Sequence, residues 1–351
     1  MAEKILISGN EAIAQGAIDA GCTFYAGYPI TPQNELIAYM AKHMPERQRI
    51  FIQAESELAA INMVYGASAV GARAMTSSSS PGISLKQEGI SYLAGAELPA
   101  VIVNMMRGGP GLGNIWPAQS DYFQATRGGG HGDYHCLVIA PSSVQECYDC
   151  MSLAFDLSDK YRIPSIILGD GFLGQMMEPL KPQAASRKPQ VYKKPWALTG
   201  CLGREPNIVK SFFMAEGDLE KFNLTLQKKY KVIRQNEQRW EETFLDDAKI
   251  ILVAYGSMAR IAKGVVNLLR GKGKKIGLIR PITLWPFPEK VFKKIAGRKK
   301  AKILVVEMSY GQMADDVKLA LECKLPVEFI GRAGGGIPTE EEIIDKIKQI
   351  I

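Results

Sequence analysis

Thr23-Phe24-Tyr25-Ala26-Gly27-Tyr28-Pro29-Ile30-Thr31-Pro32-Gln33-Asn34-Glu35-Leu36 passes from strand to turn to helix within a few residues. Aromatic residues suit the strand. Pro29 and Pro32 stop it, and Pro32 fits the first turn of a helix through Met40, with Thr31 as its cap. The same alternation runs outward in both directions. Upstream, residues 4–8 form a short apolar strand, and a helix follows over residues 12–18 with Asn10 at its cap. Downstream, strands at 49–54, 72–76, 99–105, 137–140 and 164–168 are separated by helices at 56–70, around 85–88 and from 144 to about 160. Alternating strands and helices imply a parallel sheet with helices on both faces. In such sheets ligands bind outside the carboxyl ends of the strands. Tyr28-Pro29-Ile30-Thr31-Pro32, Glu55-Ser56-Glu57-Leu58-Ala59-Ala60 and Met106-Arg107-Gly108-Gly109-Pro110-Gly111 all follow strands, so a turn, a carboxylate and a guanidinium are expected to face one pocket.

Residues 107–134 read as a long Gly-rich loop, a length usually tied to function or mobility. The helix from Ser56 to Val70 is apolar nearly all round, which argues for burial. Residues 181–245 break the pattern: they are rich in Lys and Pro and read as a basic linker with an exposed polar helix from about Leu219 to Glu242. A second α/β unit starts near Lys249, with strands at 250–255, 276–281, 302–307 and 326–330 and a closing helix near Thr339. The expected domains are therefore 1–180, the linker 181–245, and 246–351. No internal repeat is visible.

The chain has 351 residues, 46% of them hydrophobic and 23% charged, so disorder is not indicated. Its net charge of +7 is uneven. Twelve Lys or Arg fall between 181 and 235, among them Arg187 and Lys188, and a second cluster spans Lys293, Lys294, Arg298, Lys299, Lys300 and Lys302. A solvated face is the simple reading of such clusters. Nucleic acid is not expected, because no zinc finger, helix-turn-helix or aromatic-interleaved basic strip accompanies the charge. The N-terminus does not resemble a signal peptide, and no apolar run reaches the 18 or so residues of a membrane span. Six scattered cysteines suit free thiols in a reducing cytoplasm.

Several chemistries are excluded. Gly108 to Gly113 lacks the helix start and acidic partner of a dinucleotide fingerprint. No phosphate loop, nucleophile elbow or four-cysteine iron–sulfur run occurs. Cys147 and Cys150 have metal-pair spacing but lie inside a helix with no second pair, so they read as structural. Gly169-Asp170-Gly171 follows a strand as a magnesium-diphosphate motif would, but the Asn pair it needs is missing, so Asp170 reads as a turn residue. Glu57 opens a helix almost free of charge. It reads either as a carboxylate favoured by the helix dipole or as a functional one. Glu55 has the same two readings. Arg107 is either a surface residue or a guanidinium suited to bidentate carboxylate binding.

Taken together, these segments resemble the alpha-type subunit of the 2-oxoacid:ferredoxin oxidoreductase family. Gly27-Tyr28-Pro29-Ile30-Thr31-Pro32, Gln53-Ala54-Glu55-Ser56-Glu57-Leu58-Ala59-Ala60, Thr76-Ser77-Ser78-Ser79-Ser80-Pro81-Gly82, Glu97-Leu98-Pro99 and Gln119-Ser120-Asp121 carry the resemblance. Tyr255-Gly256-Ser257 and Arg280-Pro281-Ile282-Thr283-Leu284-Trp285-Pro286-Phe287-Pro288 extend it to the second unit. It implies a doubly wound, parallel-sheet domain that binds the pyrimidine of thiamine diphosphate, followed by a transketolase C-terminal-like α/β domain. Within the family, the subunit of the branched-chain (3-methyl-2-oxobutanoate) enzyme is the nearer match and that of the 2-oxoglutarate enzyme the competitor; a non-catalytic structural subunit that keeps the fold is the other reading.

The resemblance also implies roles. Glu57 would hydrogen-bond the aminopyrimidine and favour the tautomer that accepts the C2 proton. Arg107 would pair with the substrate carboxylate, and Thr31 would reach the substrate. Pro29, Ile30, Ser79 and Ser80 would contact the cofactor. Ile30, Met105, Leu112, Ile115 and Trp116 would set pocket size. Mg2+ and iron–sulfur clusters would reside on partners: a beta-type subunit for the diphosphate half, a gamma-type subunit and a ferredoxin-like subunit. CoA, a 2-oxoacid and an acidic ferredoxin complete the expected ligands and partners, with no membrane involved. The basic clusters would give ferredoxin a surface to approach. The helix after Glu57 and the Gly-rich loop would form an apolar interface with a partner.

Overall fold

Ala100-Val101-Ile102-Val103-Asn104-Met105-Met106 is a near-continuous apolar run, and all seven residues are buried. A strand of that kind belongs inside a parallel sheet covered on both faces. Each fully buried aliphatic side chain contributes roughly 1.5–3 kcal/mol there. The computed structural model, which describes residues 4–182, 190, 192–298 and 300–350, places this strand near the middle of a seven-stranded sheet.

The elements of the first unit are β1 (Ile5–Ser8), α1 (Gly9–Asp19), β2 (Phe24–Gly27), α2 (Asn34–Glu46), β3 (Ile50–Gln53), α3 (Glu57–Ala69), β4 (Ala74–Ser78), α4 (Ser80–Gly95) and β5 (Ala100–Met106). They continue with α5 (Tyr122–Arg127), β6 (Leu137–Ile139), α6 (Val144–Tyr161), β7 (Pro164–Asp170), α7 (Gly171–Gln175) and β8 (Met177–Leu180). Then come α8 (Asp218–Asn236), β9 (Trp240–Thr243), β10 (Ile250–Val253), α9 (Gly256–Gly271), β11 (Ile276–Pro281), β12 (Thr283–Trp285), α10 (Glu289–Ile295), β13 (Lys302–Glu307), α11 (Gln312–Ala320), β14 (Val327–Gly331) and α12 (Glu340–Ile350).

The first sheet runs β12-β6-β7-β5-β4-β2-β3, parallel except for the edge strand β12. From β2 the chain goes one way to β3 and the other way to β4. The topological switch point, where open α/β sheets bind ligands, therefore lies between the carboxyl ends of β2 and β4. The second sheet runs β14-β13-β10-β11-β9, parallel except for β9. β1 and β8 form a separate antiparallel pair.

Several expectations change. Ser8, not Asn10, caps α1, in a capping box with Glu11. Asn10 is buried and reaches Pro32 O at 2.7 Å instead. Thr31 is not the cap of α2: the helix begins at Asn34 with Gln33 before it, and Thr31 Oγ1 accepts from Asn34 Nδ2 at 3.2 Å. The loop at 107–134 contains α5. α3 is only half buried: Leu58 is 46% exposed, and Val70, just past its end, 53%.

The linker reading of 181–245 needs the largest correction. Its helix, α8, is docked through the stripe Leu226, Tyr230 and Ile233, whose spacing puts them on one face. Lys229 pairs with Glu97 at 2.9 Å, and Lys194 with Asp159 at 2.7 Å, so part of the basic cluster is satisfied within the fold. Arg187, Lys188 and Lys299 lie outside the described residues. β9 joins the second sheet, and β12, from the second half of the chain, edges the first.

The second sheet has its own switch point beside β10, and it is filled by the protein itself. Gln119, fully buried, donates to Tyr255 O at 3.0 Å and accepts from Met308 N at 3.0 Å. Glu307 accepts from Met313 N and Ala314 N, both at 3.0 Å, at the start of α11. Those backbone donors are a ready anion site, and a native carboxylate occupies it.

Candidate functional site

The carboxyl ends of β2, β4 and β5 and the start of α3 carry the predicted site residues. Tyr25, within β2, meets Ser77 of β4 at 2.6 Å, and Ser77 donates to Gln33 Oε1 at 2.6 Å. Gln33 Nε2 in turn reaches Tyr28 O at 3.4 Å. This buried chain fixes the turn 28–33 against the switch point. Gln33 escaped the sequence reading because a single Gln at a helix start carries no pattern signal.

Thr31 and Arg107 are brought together. Arg107 is 7% exposed, which removes the surface reading. Its Nη1 donates to Thr31 O at 2.9 Å and its Nη2 to Leu112 O at 3.0 Å, while Nε is buried without a partner. Pro29 is exposed, and Ile30 and Thr31 are partly so. Glu55 is exposed.

Glu57 is 6% exposed at the first position of α3, which Ser56 caps through Ala59 N at 3.1 Å. A Cβ on Gly82 would lie 2.6 Å from Glu57 Oε1 and 2.0 Å from Ser78 Oγ, so only glycine lets α4 approach this closely. Ser78 Oγ and Ser79 Oγ are buried with no hydrogen-bond partner among the described residues. Ser80 differs from its neighbours. Its hydroxyl donates to Asp121 Oδ2 at 2.6 Å and accepts from Arg107 N at 3.0 Å, so it is committed to holding the site rather than free for a ligand. Asn104 Nδ2 also donates to Asp121 Oδ2 at 2.9 Å. Burial pushes the Asp121 carboxyl up, and the Ser80 and Asn104 bonds offset part of that.

Of the expected pocket-wall residues, Met105 lies in the core, where it packs against Gly169 and Gly174. Leu112, Ile115 and Trp116 are 80%, 55% and 62% exposed on the loop after β5. That loop is tied to the second unit: Asn114 Nδ2 donates to Gly334 O at 2.9 Å, and Trp116 packs on Gly335.

Asp170 is more than a turn residue. It is buried, caps α7 through Phe172 N and Leu173 N, both at 3.0 Å, and accepts from Ser257 Oγ at 2.6 Å. Among the described residues, no group of three His, Cys, Asp or Glu could hold a metal ion. Cys147 and Cys150 are buried within α6, and burial raises both thiols, that of Cys150 to about 12, which leaves them inert.

Residues 15–226 match the family model of the thiamine diphosphate-binding domain of pyruvate flavodoxin/ferredoxin oxidoreductases, and residues 248–343 match pyruvate:ferredoxin oxidoreductase core domain II. The chain belongs to the pyruvate flavodoxin/ferredoxin oxidoreductase family. Among this family's members, the ketoisovalerate oxidoreductase subunit VorB of Methanothermobacter marburgensis is 51% identical over 98% of this chain and 97% of its own length. The 2-oxoglutarate synthase subunit KorA of the same organism is 37% identical over 99% of both chains. A solved 2-oxoglutarate:ferredoxin oxidoreductase from Magnetococcus marinus, with 2-oxoglutarate, coenzyme A and succinyl-CoA bound, superposes with a TM-score of 0.88 at 25% identity. That match covers 99% of this chain but only 65% of the larger one. Both relatives are named as subunits, so oxidoreductases of this family work as assemblies of chains. The α/β, doubly wound fold expected from the alternation of strands and helices is the observed one. Among the described residues, no helix is long and apolar enough to cross a membrane.

The site suits the cofactor that the domain's description names. A buried carboxylate, two buried hydroxyls with no partner among the described residues and a guanidinium with a spare donor lie at or just past the carboxyl ends of β3, β4 and β5.

Proposed function

We propose that this chain is the pyrimidine-side subunit of a 2-oxoacid:ferredoxin oxidoreductase that converts the branched-chain substrate 3-methyl-2-oxobutanoate, with CoA, to an acyl-CoA and CO2 and passes the electrons to ferredoxin. The carrying observation is Glu57: a carboxylate 6% exposed, at a helix start, packed together with the Ser78 hydroxyl against Gly82. The choice of substrate is supported by the higher identity to the ketoisovalerate subunit than to the 2-oxoglutarate one.

When bound, thiamine diphosphate supplies the carbanion and the electron sink that decarboxylation needs. The protein's own residues prepare that chemistry. Glu57 holds or releases a proton at the aminopyrimidine ring nitrogen, and its burial strengthens that hydrogen bond. Ser78 and Ser79 offer hydroxyls to the same ligand. Arg107 pairs with the substrate carboxylate through the donors its two carbonyl bonds leave free. Thr31, tied to Arg107 through its carbonyl, presents its side chain beside the substrate. The turn 28–33 and the loop carrying Leu112, Ile115 and Trp116 exclude water when the partner subunit covers them.

The diphosphate half, with its Mg2+, falls to a beta-type partner subunit. Iron–sulfur clusters fall to a ferredoxin-like subunit, and a gamma-type subunit completes the assembly. The half-exposed apolar face of α3 is the partner interface, and a reducing cytoplasm suits the free thiols.

The test is viologen-dye reduction by the co-purified complex, dependent on thiamine diphosphate and CoA. Substrates are 3-methyl-2-oxobutanoate, 2-oxoglutarate and pyruvate, for wild type and Glu57→Gln. Branched substrate is expected to win, and Glu57→Gln to lose about 10²-fold or more of the rate while the complex still assembles. A fully active Glu57→Gln complex would overturn the reading of this site, and preference for 2-oxoglutarate would overturn the substrate.

A further inference from the structure

Lys86 is the group that neither the motifs nor the proposed chemistry uses. It sits on α4 and is completely buried. Its Nζ donates to Thr76 Oγ1 of β4 at 3.1 Å and to the backbone oxygen of Glu57 at 3.3 Å. Lysine is almost never fully enclosed unless it is paired, because the desolvated ammonium is costly. The charged group whose field acts on it is Glu57; the other oxygen it bonds, from Thr76 on β4, is neutral. Burial pushes the amine down to about 8, and Glu57 pulls it the other way, so it is still protonated at neutral pH. A methionine would fill the same space without the desolvation cost. Nor does the start of α3 need the amine, because Ser56 already caps that helix. The enclosed amine carries a desolvation cost, and one of its bonds falls on the turn that carries the Glu57 carboxylate.

We propose that Lys86 is a positioning residue for Glu57: its enclosed ammonium, bonded to the Glu57 carbonyl and to Thr76, ties the first turn of α3 to β4 and so sets how the carboxylate is presented. This rests on the reading of Glu57 as the carboxylate that serves the cofactor.

The test uses the assembled complex in four forms: wild type, Lys86→Met, Glu57→Gln and the double variant. The first readout is thermal midpoint against pH, without substrate. A free lysine titrates near 10.4. Between about 8 and that value the unfolded chain binds more protons than the folded one, so stability rises with pH across the window. Lys86→Met is expected to remove that rise. Glu57→Gln, which keeps the lysine but withdraws its anion, is expected to move the onset of the rise to lower pH. An onset that stays at the wild-type position shows the two groups uncoupled and overturns the proposal. Glu57→Gln decides this by itself should Lys86→Met fail to assemble.

The second readout is kcat/KM against pH. Lys86→Met is expected to lower it by about tenfold or more, part of the roughly 10²–10⁴-fold that a positioned proton-transfer group supplies. An equal loss of stability at every pH with kcat/KM unchanged would mark Lys86 as purely structural and overturn the proposal. Thermal coupling together with a fully active Glu57→Gln complex would instead overturn the function of Glu57, and leave the Lys86–Glu57 coupling standing.

Discussion

Arg107 and Thr31, 76 positions apart in the chain, are joined by a hydrogen bond from the guanidinium Nη1 to the threonine carbonyl at 2.9 Å. With Leu112 O taking Nη2 at 3.0 Å, two carbonyls aim one fork, and the buried Nε remains as a donor without a partner. The turn after β2 and the loop after β5 are thereby held as one unit around the guanidinium.

Arg107→Lys removes the fork while keeping the charge. A single ammonium cannot hold both carbonyls and a carboxylate in a plane. Hydrogen bonds to charged groups are worth about 1.5–3 kcal/mol. The expected result is a rise of about 10–100-fold in KM for the 2-oxoacid with the complex intact, measured by steady-state dye reduction. A wild-type KM would remove Arg107 from substrate binding.

Ser80→Ala deprives Asp121 of its 2.6 Å donor and Arg107 N of its acceptor. Leaving a buried acceptor short of a donor costs about 1–3 kcal/mol. Asp121 is already raised by burial. The folded state therefore holds its proton at a pH where the unfolded state has lost it, and stability falls as pH rises through that interval. Losing Ser80 raises the carboxyl further, so the destabilisation is expected to be larger at pH 7 than near pH 4. Denaturation at the two pH values checks the sign.

Gly335→Ala tests how the second unit holds the loop after β5. The residue has φ +95°, and a Cβ there would lie 2.6 Å from Trp116 Cβ. Strained backbone of this kind costs on the order of 1–3 kcal/mol. Trp116 must move, so the ratio of kcat/KM for 3-methyl-2-oxobutanoate over 2-oxoglutarate is expected to change by more than the rate on either substrate alone. An unchanged ratio would separate this loop from substrate choice.

His135 stacks on Trp285 at 4.4 Å and meets Tyr230 of α8 edge-on at 5.3 Å. Burial, with Arg234 adding to it, lowers the imidazole to about 4. The unfolded chain takes up a proton near 6.5. The histidine thus contributes stability that is complete above about 6.5 and is lost as pH falls toward 4. His135→Gln is expected to lower stability at pH 7 and to flatten the acid side of the profile, read by thermal denaturation. An acid limb identical to wild type would contradict the burial of the neutral ring.

Much of this protein was determined by sequence alone. Alternating strands and helices set a doubly wound sheet, because local periodicity decides which backbone forms and which face is apolar. The turn after β2, the carboxylate at the start of α3 and the arginine after β5 were legible for the same reason: each sits where a strand ends. Tertiary structure decided what each group is free to do. Three neighbouring serines look alike in sequence, yet Ser80 is committed to Asp121, 41 positions away, while the Ser78 and Ser79 hydroxyls have no partner among the described residues. Gln119 closes the second switch point by reaching Tyr255 across 136 positions. The stripe that docks α8 was masked by the charges around it. Lys86 looked like one more helix lysine until packing enclosed it against Glu57. Burial and hydrogen-bond partnership are properties of residues distant in the chain, so no local pattern carries them.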